Sequence, residues 1–147
     1  MGNAKLRESI TIDAPIEHVF ERLVDHEAMS DWPGVGRSRL VVEGSPERNG
    51  LGAVRAIRAK GVTLLEEVVR FEPPTRMDYT ITKGLPVEHL GVVRLEEVGG
   101  SVELTWEVTM SSRWPGVSAI VIRLLGNGLP TALAFFKEDT ERRHRAG

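Results

Sequence analysis

The stretch 101–111, SVELTWEVTMS, alternates without a break: Val102, Leu104, Trp106, Val108 and Met110 take one side, and Glu103, Thr105, Glu107 and Thr109 the other. Successive side chains of an extended chain point to opposite faces, so this period of two predicts a long strand with one face in a core and one in water. The same pattern recurs upstream. Met77, Tyr79 and Ile81 alternate with Asp78, Thr80 and Thr82, and Leu6, Glu8, Ile10 and Ile12 alternate with Arg7, Ser9 and Thr11. Further strands are read over residues 39–43, 51–60, 62–72 and 88–97. Turn residues separate them: Gly44-Ser45-Pro46, Asn49-Gly50, Lys60-Gly61, Pro73-Pro74, Gly84-Leu85-Pro86 and Gly99-Gly100. Connectors this short predict strands that pair with their neighbours in sequence, antiparallel. A turn at Lys60-Gly61 sets Arg55 opposite Glu66.

Two places change to a helical period. Asp13 is placed to cap a helix with Pro15 in its first turn, and Ile16, Val19, Phe20 and Leu23 then form one apolar stripe. A shorter helical turn over residues 26–32 ends at Pro33-Gly34. The second place is 115–143, where Val117, Ile120, Val121 and Leu124 carry the first half, and Leu129, Ala132, Leu133 and Phe136 the second. Pro130, within Gly126-Asn127-Gly128-Leu129-Pro130, predicts a kink or break, because proline lacks a donor and crowds the preceding turn. Such a break, facing Asp31-Trp32-Pro33, would make a gate, or it would merely fit the helix to a curved sheet. The broad apolar surface around Ile122 and Leu125 also suits a homodimer contact. The expected fold is α+β: one domain, 1–147, with a seven-stranded curved antiparallel sheet around a long C-terminal helix and two short helices after the first strand.

Composition narrows the function. In a chain of 147 residues, 19 Lys+Arg stand against 21 Asp+Glu, a net charge of -2 that argues against a phosphate-tracking surface and hence against nucleic acid. With no Cys there is no disulfide, thiolate metal site or cysteine nucleophile. His18 and His26 lack metal-ligand spacing, and His144 sits in a charged tail, so no metal is expected. Gly34-Val35-Gly36 lacks the rest of a dinucleotide fingerprint, and no Walker-type loop or Gly-x-Ser-x-Gly elbow is present, so no cofactor is expected. Residues 1–8 lack the apolar run of a signal peptide, and no stretch reads as a membrane span, which points to the cytoplasm.

The series Ile10-Thr11-Ile12-Asp13-Ala14-Pro15 with Val19-Phe20, then Asp25 through Trp32-Pro33, then Gly52-Ala53-Val54-Arg55, Glu66, Pro73-Pro74, Tyr79, Gly84-Leu85-Pro86 and Trp106 resembles a known family. It is similar to the polyketide cyclase/dehydrase-like branch of the START/polyketide-cyclase-like (SRPBCC) superfamily, over roughly residues 6–137. The resemblance implies the helix-grip fold and an apolar cavity between sheet and C-terminal helix. Its members bind lipids, polyketides, hormones or other apolar molecules, and a minority catalyse reactions on them.

Several residues then become candidates for a ligand site. Arg55 and Glu66 either face the cavity, where the guanidinium would hold a carboxylate or phenolate, or form an ion pair on the solvated face. Tyr79 and Trp106 lie on the apolar side of their strands, as core packing or as cavity wall. His89, with an ordinary pKa near neutrality, is the catalytic candidate if it shares an inward face with Val93 and Leu95 and not the opposite one through Leu90 and Val92. Trp32, at the gate, and Leu124, of the first half of the C-terminal helix, complete the ligand-binding set. The expected function is binding of a mostly hydrophobic small molecule. The alternative is a cyclase or dehydratase in which His89 or Glu66 moves a proton and Arg55 stabilises an enolate.

Overall fold

The computed structural model describes residues 2–59 and 61–147, so Lys60, half of the expected turn, lies outside the described residues. The chain runs β1 (Gly2–Ile12), α1 (Ile16–Leu23), a 3-10 turn (Ala28–Asp31), β2 (Arg37–Val42), β3 (Val54–Ala59), β4 (Val62–Glu72), β5 (Arg76–Lys83), β6 (Glu88–Val98), β7 (Ser101–Ser112) and α2 (Val117–Ala146). The stretch that alternates most strictly in the sequence is the longest strand, β7. Its even-numbered residues from Val102 to Met110 are all buried, as the period of two demands.

The seven strands make one antiparallel sheet in the order β1-β7-β6-β5-β4-β3-β2. From β2 to β7 each strand pairs with its neighbour in sequence. The exception to consecutive pairing is β1, which crosses to the far edge and pairs with β7 along its whole length, from Gly2 opposite Ser112 to Ile12 opposite Val102. The cause lies in the helices: α1 and the 3-10 turn carry the chain across the inner face before β2 begins, so the two ends of the strand series end on opposite edges. Arg55 stands opposite Glu66, as the turn spacing predicts.

Three further expectations are corrected. Asp13 does not cap α1, which starts at Ile16 with Pro15 in the capping position and no side-chain cap bond. The Asp13 N–H instead donates to Glu141 near the end of α2. The C-terminal helix is not broken, and Val117–Ala146 is one helix with Pro130 inside it. Pro130 removes a donor for the Gly126 carbonyl, but the buried Ala132, Leu133 and Phe136 hold the next turns to the core. Finally, α2 is long and apolar enough by composition to cross a bilayer. It is nonetheless a helix of the fold, packed on β1, β7 and α1.

Sheet and helices enclose one apolar core, in which Ile12, Leu23, Met77, Leu104 and Leu133 are among the fully buried side chains. This arrangement, a curved sheet gripping its C-terminal helix with two short helical segments after the first strand, is the helix-grip fold.

Candidate functional site

Arg55 and Ile57 of β3 and Glu66 and Val68 of β4 share the inner face, and the pairing register carries Arg55 and Glu66 inward together. Both are buried, Arg55 to 3% exposure. Arg55 Nε donates to Glu66 Oε1 at 2.8 Å, and its terminal nitrogen reaches the same oxygen at 2.7 Å. The sequence leaves this pair between the inner and outer faces; it lies inside.

The other donors of Arg55 meet residues on the segment after α1. Its second terminal nitrogen donates to His26 Nδ1 at 3.2 Å and to Met29 Sδ at 2.9 Å. His26 Nε2 in turn lies 2.8 Å from the Asn49 carbonyl oxygen. An arginine only donates and a carbonyl only accepts, so His26 must carry its proton on Nε2 and stay neutral. Burial first, and then the Arg55 charge, lower its pKa from 6.5 to about 4.

The guanidinium lies over the Tyr79 ring, 4.8 Å from its centre. Trp106 Nε1 donates to the Tyr79 hydroxyl at 2.9 Å, and the two rings meet edge to face. Trp32 packs edge-on to Trp106, with ring centres 6.1 Å apart, and lies 5.1 Å from Phe136 of α2. Tyr79 stands opposite Gly91, where any Cβ would collide with the phenol ring. A glycine inside a strand is the sequence signal for this close approach. Burial pushes the Tyr79 hydroxyl well above its ordinary pKa, so it stays protonated.

His89 faces inward on β6 and is buried, with its ring 5.2 Å from that of Tyr79. The Ile81 N–H donates to its Nδ1 at 3.2 Å, which places the proton of the neutral ring on Nε2. Burial lowers its pKa. Six of the seven sequence candidates therefore converge: Arg55, Glu66, Tyr79, His89, Trp106 and Trp32 form one connected buried group. Leu124 does not join them, because it lies on the outer side of α2 at 65% exposure.

Sequence reasoning missed His26 and Met29 as partners of Arg55. They lie 29 and 26 residues away, and no spacing rule links a turn after α1 to a strand. Among the described residues, no three of His, Asp and Glu come together as a metal site would require.

The core side of α2 carries Ser118, Ile122, Gly126, Leu129, Ala132 and Phe136, and Gly126 faces β1, where an added Cβ would lie 3.5 Å from Leu6. Its ends are buried, at Ser118 and from Ala132 onward. Its middle is half-buried at Ile122, Gly126 and Leu129, and Leu125 beside it is 40% exposed. The first half of α2 is thus less closely covered by the rest of the fold than the second. A depression of about 380 Å³ lies across β1, β6 and β7, lined by the outward Lys5, Glu88, Leu90 and Thr109 and also by the buried His89 and Met110.

The family model described as polyketide cyclase / dehydrase and lipid transport matches residues 3–140. Among solved structures, XoxI from Bacillus cereus is similar at 19% identity and a TM-score of 0.72, covering 93% of this chain and 95% of that one. A START superfamily protein from Mycobacterium smegmatis gives 16% identity and a TM-score of 0.70, with 99% of each chain covered. Ara h 8.0201 gives 18% identity and 0.68, covering 99% of this chain and all of its own. At such identities these likenesses speak for the fold alone. No curated protein matches. With nearly its whole length matched, the chain belongs to the polyketide cyclase/dehydrase and lipid transport family.

Proposed function

We propose that this protein, acting as one domain in the cytoplasm, binds a neutral, mostly apolar small molecule. The molecule enters beneath the middle of α2 and rests against the aromatic group of Trp32, Tyr79 and Trp106. The single observation that carries this reading is the half-buried middle of the core side of α2, in a fold whose interior holds a polar and aromatic group. Family membership supports the class of ligand, since the family's description includes lipid transport.

Neutrality of the ligand follows from the bonding of Arg55. Its charge is balanced by Glu66, and its donors go to Glu66, His26 and Met29. A carboxylate or phenolate ligand would have to break that set and leave a second buried anion beside Glu66. Two neutral donors serve better: the Tyr79 hydroxyl, which keeps its own proton while accepting from Trp106, and His89 Nε2–H. Both suit a hydroxyl or carbonyl oxygen, while apolar burial, at about 25 cal/mol per Å², supplies affinity. The cyclase reading is weaker, because Glu66 is held by Arg55 and His89 Nδ1 is occupied by a backbone N–H.

The test is a thermal-shift series with matched chain lengths: decanol, decanal and decanoate. Decanol and decanal should raise the melting temperature, and decanoate should not. Leu125→Trp, which would cover the proposed entrance, should abolish the shift while leaving the unliganded protein folded. Equal or greater stabilisation by decanoate would overturn the neutral-ligand reading.

A further inference from the structure

We infer that the first half of α2 and the turn before it dock on an anionic lipid surface. Trp114 is 54% exposed, Ile120 63% and Leu124 65%. These three are not scattered: Trp114 lies three residues before the helix, in the turn that leads into it, and Ile120 and Leu124 follow each other on its outer side. The apolar 18-residue window of this helix is only 17% buried. A water-soluble helix normally turns polar residues outward, and here the outward residues are large and apolar.

The charges identify the occupant. Between Glu107 and Glu138 the chain has no acid, and its charged residues are Arg113, Arg123 and Lys137. Lys137 is engaged by Glu141 and the Thr11 carbonyl, which leaves Arg113 and Arg123 with the apolar patch. Arg113 lies over the Trp114 ring at 5.5 Å. In a chain of net charge -2, an apolar patch whose charges are all positive is complementary to lipid phosphates. A two-fold contact between copies centred on this patch would instead set Arg113 and Arg123 against their own duplicates, with no acid between them. Tryptophan and arginine side by side are suited to the headgroup level, the tryptophan by its apolar body and polar tip. The helix would lie in the interface plane, since its inner stripe remains on the sheet.

Trp114 supplies the readout, because Trp32 and Trp106 are buried. The intact protein is mixed with vesicles of phosphatidylcholine alone, or with one quarter phosphatidylglycerol, and followed by sedimentation and tryptophan emission. Wild type should sediment with the anionic vesicles with a blue shift that Trp114→Phe removes. Arg113→Gln and Arg123→Gln should each weaken partitioning about fivefold, as one interfacial charge does. Ile120→Gln with Leu124→Gln should abolish it while leaving the far-UV spectrum unchanged. Absence of binding to the anionic vesicles would overturn the inference, as would equal binding to phosphatidylcholine alone. It would also be overturned by a wild-type dimer in sedimentation velocity that the Ile120→Gln/Leu124→Gln protein converts to monomer. None of these outcomes depends on the interior ligand, so this inference and the binding proposal fail separately.

Discussion

Arg55 and Glu66 are buried together, so each is tolerable only in the presence of the other. Glu66→Gln leaves the guanidinium charge uncompensated and should lower unfolding stability by about 3–5 kcal/mol. Replacing both, as Arg55→Met with Glu66→Leu, should cost less than either single change; urea denaturation of the three variants checks this. His26 adds a pH dependence. Its unfolded pKa is near 6.5 and its folded one about 4, so between these values the unfolded chain binds more protons. Stability is therefore fully present above about pH 6.5, falls as pH drops towards 4 and is level below; the full drop is on the order of 3 kcal/mol. His26→Gln keeps an acceptor for Arg55 and a donor for Asn49 without a titrating proton, so its stability should fall less than that of wild type between pH 7 and pH 4.5. The inward pairing of Arg55 and Glu66 was half legible in the sequence. Turn spacing set them opposite each other, but Leu64, Leu65, Val68 and Val69 give both faces of β4 apolar members, which hides the orientation. His26 was illegible as their neighbour, because only the folded path of the segment after α1 brings it there.

At the scale of elements, the strands were the most legible part, since the strict alternation of β7 and its neighbours leaves one way to bury their apolar side. The edge position of β1 was not legible, because local turns say nothing about which strand closes the sheet. Nor was the continuity of α2 through Pro130, a tertiary override of local preference: the buried turns beyond it hold the helix. Pro130→Ala restores a donor for the Gly126 carbonyl and should raise stability by about 1–3 kcal/mol, read as a higher melting temperature. A drop would mean that the helix needs the proline to clear the sheet. On β6, Gly91→Ala pushes a methyl into the Tyr79 ring and should cost about 1–3 kcal/mol. Because Tyr79 bonds Trp106, near-ultraviolet circular dichroism should change with it; an unchanged spectrum would show that the ring is not locked by its contact with the glycine.

Across the whole molecule, two features sit on the two sides of one helix. The core side of α2 is only half-buried at Ile122, Gly126 and Leu129, where we propose that the ligand enters, and the outer side presents Ile120 and Leu124 to solvent with Trp114 before it. A protein that takes a neutral apolar molecule from a lipid surface needs both, an acceptor interior and a face that rests where such molecules dissolve. The central claim is the interior. The most direct measurement is native mass spectrometry of the purified protein, followed by denaturing extraction and identification of what it carried. The account predicts a retained mass that is a neutral, mostly apolar molecule with a hydroxyl or carbonyl group, lost in Leu125→Trp. A retained carboxylate, or an empty protein whose melting temperature no neutral apolar compound raises, would contradict it.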